Sequence, residues 1–308
     1  MKHKHGFSLV ELLIVIGIIA VLGGVMLTQF SGSTDSALAA SCMNNMRTLC
    51  NAVLSEASMR SRYPSAGPYQ YYKESSTEKE WCQGWIGHSK GESSVSCYHS
   101  EGDKGEAQYY AITNGTIWRA VGGQSGAYVC PAHTKYCKRN KHPTPAWSYV
   151  MNSYFGWDRN VAAGIAAGRR AYGDGLLQFR YTSGTTTRKR SPEKVLLFAE
   201  MPFVDNGVQQ PEWSTSASDA TDMILKFEAT DGADEKANKA GSGVGEVIGF
   251  NHKSGNYYSA HVAFADGHCV KLMLPDGARE DNLKELTGWL CTGMEYTFNG
   301  STYSKVSE

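Results

Sequence analysis

One almost continuous apolar run dominates the first thirty residues. The run extends from Phe7 to Phe30, and its single charged side chain is Glu11. An apolar stretch of about 20 residues is long enough to span a bilayer as a helix. The pattern therefore predicts a transmembrane helix over residues 7–30, preceded by a leader peptide of residues 1–6.

A second pattern follows, in which apolar positions recur every three or four residues, as on one face of an α-helix. These positions are Leu38, Cys42, Met46, Leu49, Val53 and Ala57. The polar face carries Asn44, Arg47, Asn51 and Glu56. Residues 31–35 offer N-cap candidates for a renewed helix, and the breakers of residues 63–68 end it. We predict that residues 31–60 form an amphipathic continuation of the N-terminal helix that packs on a head, although the first helix of a tethered soluble domain would carry the same stripe.

The remaining residues, 61–308, are numerous enough to bury a sizeable core. Residues 193–199, after Ser191-Pro192, read as a buried strand. We predict an α+β fold in which a long N-terminal helix packs on a large β-rich globular head.

The clearest local prediction in the head is a hairpin over residues 260–274. Asp266-Gly267 lies between two alternating runs, which is a strong turn signal. A two-residue turn would pair Val262 with Lys271, whereas an odd-length loop places the apolar side chains on one face. We therefore predict a three-residue loop with Gly267 in the left-handed conformation.

Charge sets the predicted orientation. Lys2 and Lys4 precede the apolar run, and no Lys or Arg follows it before Arg47. Because cytoplasmic flanks carry the excess of positive charge, the leader is predicted in the cytoplasm and the head outside it. Over the whole chain 30 Lys and Arg balance 30 Asp and Glu, so no nucleic-acid partner is expected. The local run Arg188-Lys189-Arg190 is interpreted as a solvated loop.

The segment Gly6-Phe7-Ser8-Leu9-Val10-Glu11-Leu12-Leu13 resembles the class III signal of type IV pilins and type II secretion pseudopilins. In that family a prepilin peptidase cuts after the glycine and N-methylates the new terminal phenylalanine. The resemblance implies cleavage after Gly6, methylation of Phe7, and a single-pass inner-membrane protein. It further implies a structural subunit, assembled through its helix with other pilins or pseudopilins on an inner-membrane platform, in a pilus-like filament or a pseudopilus.

Glu11 is the residue on which the assembly mechanism depends. A carboxylate within a membrane helix costs on the order of 2.5–3.5 kcal/mol on insertion scales and usually has a partner. The resemblance supplies one, the amine of the processed Phe7, on the same subunit or on its neighbour. The alternative is a Glu11 that lies near the headgroups and is hydrated.

A second resemblance lies near the C-terminus. Many prepilin-type proteins with large heads carry a His-x9-Asp-Gly motif before their final strand. Here thirteen residues separate His252 from Asp266, a departure of four from that spacing. We interpret the motif as structural, with Gly267 turning the chain and Asp266 hydrogen-bonding the turn.

The chain has eight cysteines, and an even number in an exported head favours disulfides. Cys42 and Cys50, if on one helix, lie about 12 Å apart along its axis, too far for a bridge. Cys50 is instead predicted to join the helix to the head. The candidate local pairs are Cys82 with Cys97 and Cys130 with Cys137.

We predict no cofactor, and zinc and calcium are the two alternatives. Zinc would use a compact cluster with Cys-x2-His-x3-Cys-x4-His spacing. Its members are Cys130, His133, Cys137 and His142. Calcium is the second alternative, because the type II secretion pseudopilins that the chain resembles often bind it in a head loop. A calcium ion would use carboxylate oxygens. Its candidates are Asp231, Asp234 and Glu235, or Asp219 and Asp222.

The sequence contains no recognisable catalytic motif, such as His-Glu-x-x-His, Gly-x-Ser-x-Gly or a Walker A loop, so we predict no enzymatic activity. The rival interpretation is a membrane-tethered carbohydrate-binding or enzymatic head that uses a pilin-type signal. Its tryptophans would suit sugar stacking, and they suit a core equally well. They are Trp81, Trp85, Trp118, Trp147, Trp157 and Trp213.

Overall fold

The computed structural model describes eleven stretches of the chain. They are residues 9–67, 69–72, 79–87, 106–141, 145–152, 155, 180–183, 186–202, 224–225, 247–275 and 280–306. Helices and mainly antiparallel strands make this an α+β structure.

The first element is a single helix, α1, which runs from Leu9 to Arg60 over 52 residues. The helical backbone passes through residues 31–35 without interruption, so the N-cap candidates there do not start a separate helix. The helix ends where predicted, at Arg60, and Ser61 follows with φ of 56°. Within the part of the chain that the structure describes, no helix combines the length and apolarity needed to cross a membrane.

The predicted apolar stripe of α1 faces the core. Cys42, Met46, Leu49 and Val53 are fully buried. One residue of the predicted polar face is also buried: Glu56, which accepts a 2.7 Å hydrogen bond from Arg60 Nε one turn later. That part of the prediction is wrong, because a charged residue can be buried when it has an ionic partner.

Three further helices lie in the described stretches: α2 (Glu106–Asn114), α3 (Pro131–Asn140) and α4 (Glu280–Thr292). Two 3₁₀ turns lie at Ser125–Tyr128 and Pro192–Lys194. The strands are β1 (Tyr69–Tyr72), β2 (Lys79–Cys82), β3 (Tyr149–Asn152), β4 (Arg180–Ser183), β5 (Thr186–Lys189), β6 (Leu196–Glu200), β7 (Ile224–Leu225), β8 (His252–Ser254), β9 (Tyr257–Phe264), β10 (Cys269–Pro275), β11 (Tyr296–Phe298) and β12 (Tyr303–Lys305).

Six strands form the central sheet in the order β10-β9-β6-β3-β7, and β8 pairs with β9 outside this path. Among the described strands of this sheet, β3 and β7 pair in parallel and the other pairs are antiparallel. Strand β6 is the buried strand expected after Ser191-Pro192, and all five of its residues are buried. Helix α1 contacts β6, β8, β9 and β10, so the buried stripe of the helix packs on these four strands.

The β9–β10 hairpin has the predicted register. Val262 pairs with Val270, and Ala263 pairs with Cys269. Phe264 N donates to His268 O at 2.9 Å, which leaves residues 265–267 as a three-residue loop. Gly267 has φ of +101°, so the prediction of a left-handed glycine in an odd-length loop is confirmed.

Candidate functional site

Four buried polar side chains from four elements of the fold converge under helix α1. They are Cys42 of α1, Glu200 at the end of β6, His252 of β8 and His261 of β9. One ligand atom from each lies within 4.8 Å of the others, and each residue is at most 5% exposed. Among the described residues this is the one group of three or more Cys, His, Asp or Glu with such spacing. We call it the Cys-Glu-His cluster.

The strand register explains why these side chains meet. Tyr149 of β3 pairs with Glu200 of β6, and Ala199 pairs with Val262, so His261 follows as the next neighbour of Glu200. His252 pairs with Ser259, two residues before His261. Directly opposed residues of antiparallel strands point to the same face.

The helix supplies the fourth side chain of the cluster. Cys42 belongs to the apolar stripe of α1 and is fully buried. Since α1 contacts β6, β8 and β9, the stripe carries the thiol to the row of polar side chains on the sheet. Packing of one helix face on one sheet face therefore assembles the cluster.

Three of its contacts meet at one oxygen, Glu200 Oε1. His261 Nδ1 lies 2.6 Å from it and His252 Nε2 lies 3.1 Å from it. Cys42 Sγ donates to the same oxygen at 3.0 Å. The other oxygen, Oε2, accepts from Asn251 Nδ2 at 3.3 Å. The carboxylate is thus the centre of the cluster, and the two imidazole rings lie with centroids 4.8 Å apart.

Two further polar side chains lie against the cluster. Tyr149 Oη is 3.1 Å from Cys42 Sγ, and it also donates to the backbone oxygen of Cys42 at 3.2 Å. Cys130 Sγ is 3.8 Å from His252 Nε2. Both residues are fully buried.

Charge pairing dominates the electrostatics of this site. Burial alone would raise the pKa of Glu200, but the charge of His252 and the hydrogen bonds of both histidines hold that pKa well below its ordinary range. Burial alone would lower the pKa of His252, but the Glu200 charge and the hydrogen bonds of Cys130 and Glu200 raise it to about 10. Glu200 and His252 therefore form a buried ion pair at neutral pH.

The two thiols at the site have opposite pKa shifts. Burial and the hydrogen bond to Cys130 raise the pKa of Cys42 well above its ordinary value. Burial would raise the pKa of Cys130 as well, but its hydrogen bonds with Cys42 and His252 lower that pKa to about 7. Cys130 is therefore the more readily ionised thiol of the pair.

A cleft of about 270 Å³ connects the cluster with the surface. It lies between α1, at Ala39 and Met43, and the strands that carry His252 and His261. Lys271 of β10 also lines it. The cleft offers a small ion a route to the two imidazoles.

The His-x-Asp-Gly motif proves to be two separate features. His252 belongs to the Cys-Glu-His cluster, whereas Asp266 and Gly267 form the β9–β10 turn, about 20 Å further along the strand. Asp266 Oδ1 accepts from His268 N at 3.1 Å and lies 2.6 Å from His268 Nδ1. Asp266 thus hydrogen-bonds within the turn as expected, and the structure does not bring His252 to it.

The zinc set expected from the sequence is not brought together among the described residues. His133 Nδ1 is 2.8 Å from Ser148 Oγ instead, and Cys130 lies against the Cys-Glu-His cluster. Cys130 and Cys137 are free thiols, so the predicted disulfide between them is wrong. Cys130 is the N-cap residue of α3 and Cys137 lies inside that helix. Seven residues of helix separate them by about 10 Å, too far for a bridge.

Cys50 contacts the head without a disulfide. Cys50 is a free thiol, as are Cys42, Cys130, Cys137, Cys269 and Cys291. Its Sγ donates to Phe264 O at 3.6 Å, and it hydrogen-bonds Cys269 of β10. The expected contact between Cys50 and the head is present, and the expected covalent bond is not.

Several predicted sites lie outside the described residues. They are Gly6 and Phe7, His142, the disulfide of Cys82 with Cys97, and the calcium candidates Asp219, Asp222, Asp231, Asp234 and Glu235. Glu11 lies in the first turn of α1. Two of the candidate sugar-stacking residues, Trp85 and Trp147, are fully buried. Trp85 packs on Tyr128 and Phe198 at centroid distances of 5.9 and 4.9 Å, so both tryptophans belong to the core.

Sequence analysis did not single out Glu200 or His261. A signal for each was nevertheless present. Glu200 ends a run of five apolar residues, and His261 interrupts the alternating run of β9. A titratable side chain at a position that the pattern predicts as buried requires a partner. Searching for several such positions would have found members of the cluster.

The comparisons with known proteins concern the N-terminus. A family model described as the prokaryotic N-terminal methylation motif matches residues 1–27. The chain therefore carries a type IV pilin-like signal, as expected of a prepilin peptidase substrate. No curated protein and no solved structure matches the chain.

Proposed function

We propose that this chain is a structural subunit of a type IV pilus-like filament or of a type II secretion pseudopilus. A prepilin peptidase cuts it after Gly6 and methylates Phe7. The helix over residues 7–30 first holds the chain in the inner membrane, with the head outside the cytoplasm. An assembly platform then moves it into a filament with other pilins or pseudopilins.

The observation that carries the proposal is the methylation motif at residues 1–27, continued by an apolar helix without a covering partner in the described chain. From Leu9 to Val21 each large apolar side chain of α1 is 45–75% exposed. Such a surface is far larger than a soluble monomer normally leaves in water. Lipid and then the helices of neighbouring subunits would cover it.

Glu11 gives the helix bundle its axial register in this proposal. It is the one charged residue between Phe7 and Phe30. An acid in an apolar environment is stabilised by an opposite charge, and processing creates one at the amine of Phe7. Pairing between neighbouring subunits would fix the offset of one helix against the next.

The test compares Glu11→Ala with Val15→Ala in the full chain, expressed in a host with a working filament system. We measure the fraction of the chain in the sheared filament fraction together with other pilins. Loss of the charge pair leaves an unpaired amine in an apolar site, so Glu11→Ala is expected to lower that fraction by at least about tenfold. Val15→Ala removes apolar surface one turn away and is the matched control.

Two results would contradict the proposal. Equal assembly of Glu11→Ala and the wild type would remove the register mechanism. Absence of the wild-type chain from filament fractions, together with sugar binding or catalysis by the membrane-anchored head, would favour the tethered-head alternative. The second result is the sharper one, because it concerns the function and not the mechanism alone.

A further inference from the structure

We propose that the Cys-Glu-His cluster binds one divalent metal ion of the zinc class through Cys42, Glu200, His252 and His261. The proposal goes beyond the filament role and does not depend on it, because all four ligands belong to one chain. It also differs from the zinc set expected from the sequence, of which no member is a ligand here.

The distances between the four ligand atoms are close to those of a tetrahedral zinc site. Tetrahedral zinc, with bonds of about 2.0–2.3 Å, places its ligand atoms about 3.3–3.8 Å apart. The four ligand atoms already lie within 4.8 Å of one another. Their contacts of 2.6–3.1 Å to Glu200 Oε1 are hydrogen-bond lengths. Shifts of about 1 Å or less would therefore exchange the shared protons for an ion.

Charge favours the same conclusion. Glu200 is fully buried, and an isolated buried carboxylate is costly unless it is paired or coordinates a metal. A zinc ion with one thiolate, one carboxylate and two neutral imidazoles has a net charge of zero. Binding forms one S–Zn, one O–Zn and two N–Zn bonds. It releases to solvent the thiol proton of Cys42 and the proton that His252 shares with Glu200.

The donor set selects the class of metal. Calcium and magnesium take oxygen ligands, whereas a combination of imidazole nitrogen, thiolate sulfur and one carboxylate oxygen suits zinc and its neighbours. Four protein ligands fill a tetrahedral shell, which is the pattern of structural sites. The ion would tie α1 to β6, β8 and β9, and so fix the helix on the head.

Residues behind the ligands are placed to orient them. Tyr149 Oη lies 3.1 Å from Cys42 Sγ, and Asn251 Nδ2 lies 3.3 Å from the outer oxygen of Glu200. Such partners of metal ligands typically change affinity about 10–100-fold when they are removed. Tyr149→Phe is therefore expected to weaken binding by about tenfold and to keep the stoichiometry.

One competing chemistry uses the same thiol. Cys130 hydrogen-bonds Cys42, and transfer of two electrons to a disulfide-bearing oxidoreductase would join the two sulfurs. A disulfide would remove the thiolate ligand. The oxidation state of Cys42 is therefore part of the test.

The experiment uses the full chain, extracted in detergent and kept reduced. After treatment with a chelator, the chain is titrated with Zn²⁺ in competition with a chromophoric chelator, and separately with Co²⁺. We expect one ion per chain, a thiolate-to-cobalt charge-transfer band in the near ultraviolet, and the visible bands of tetrahedral cobalt. The charge-transfer band is expected to disappear in Cys42→Ser.

Matched variants separate this site from other cysteines and histidines. His261→Ala is expected to abolish stoichiometric binding, whereas His268→Gln, at an exposed histidine of the β9–β10 turn, leaves it unchanged. Cys42→Ala removes the site, whereas Cys137→Ala leaves it intact. If His261→Ala does not fold, the wild-type cobalt spectrum and the Tyr149→Phe titration still decide the outcome.

Three results would overturn the proposal. The first is a reduced wild-type chain that takes up no zinc and no cobalt. The second is a Cys42–Cys130 disulfide in the chain as it is extracted without reductant. The third is metal binding that Cys137→Ala abolishes and Cys42→Ala does not, which would return the site to the set expected from the sequence.

Discussion

The apolar side chains at the two ends of helix α1 differ in their solvent exposure. From Leu9 to Val21 each large apolar side chain is 45–75% exposed, whereas the stripe from Cys42 to Ala57 is 0–3% exposed. The second set is covered by the head of the same chain. Nothing in the described chain covers the first set. The C-terminal part of the helix therefore contributes to the core of the head, whereas the N-terminal part leaves an apolar surface exposed.

The two ends also differ in their polar residues. Glu11 is one acid in a run of apolar side chains, and its proposed partner is a charge made by processing. Cys42 has its partners within the fold, where Glu200 and Tyr149 lie 3.0 and 3.1 Å from its sulfur. If the proposed function holds, Glu11 serves assembly at one end of the helix, whereas Cys42 serves the fold at the other.

The largest difference in the free energy of unfolding is expected between Met46→Ala and Ile16→Ala. Met46 is fully buried and Ile16 is 53% exposed. Met46→Ala is expected to lower the free energy of unfolding of the head by about 2–5 kcal/mol, because it leaves a cavity. Ile16→Ala is expected to leave that free energy unchanged. Guanidinium unfolding of the detergent-extracted chain, followed by the fluorescence of its buried tryptophans, measures the free energy of unfolding of both variants. Equal losses would show that the N-terminal end of the helix also stabilises the head.

A smaller effect is expected where the β9–β10 turn meets α1. Gly267 has φ of +101°, and a Cβ there would lie 2.8 Å from Leu54 Cδ1. Gly267→Ala is expected to lower the free energy of unfolding by about 1–2 kcal/mol, since L-residues resist a left-handed backbone.

The matched control for that variant is Gly255→Ala in the β8–β9 turn. Gly255 has φ of +61°, and no atom lies within 4 Å of its Cβ position. This variant keeps the backbone strain and lacks the clash with the helix. A greater loss for Gly267→Ala, in the same unfolding assay, would measure the contact with Leu54; equal losses would show that this contact contributes nothing.

The smallest effect is expected from the surface pair between α1 and α3. Lys135 Nζ lies 2.8 Å from Asp35 Oδ1, and both side chains are more than half exposed. Lys135→Met is expected to change the free energy of unfolding by about 0–1 kcal/mol, and less at high salt. A larger loss that persists in high salt would show that this end of the packed region depends on more than the apolar stripe.

Local patterns predicted the elements well. The spacing of Cys42, Met46 and Val53 predicted the packed face of α1, and Asp266-Gly267 predicted the loop length of the β9–β10 hairpin. Both depend on residues close in sequence, for which side-chain periodicity is informative. Glu56 broke the pattern because its ionic partner, Arg60, allows it to be buried.

The cluster was not predicted because its contacts are remote in sequence. Cys42 and Glu200 are 158 residues apart, and His261 is 61 residues further on. Their meeting depends on strand order and register, which a single sequence does not specify. The spacing within one short segment instead predicted a site that includes Cys130, His133 and Cys137. The helix that they occupy separates the two cysteines.

We infer that the exposed end of α1 is a processed pilin-like helix. The most direct test is the intact mass of the chain extracted from membranes, measured with and without reductant. We expect a mass of Phe7–Glu308 plus one methyl group. A mass that begins at Met1 would contradict it and would leave an ordinary anchored domain.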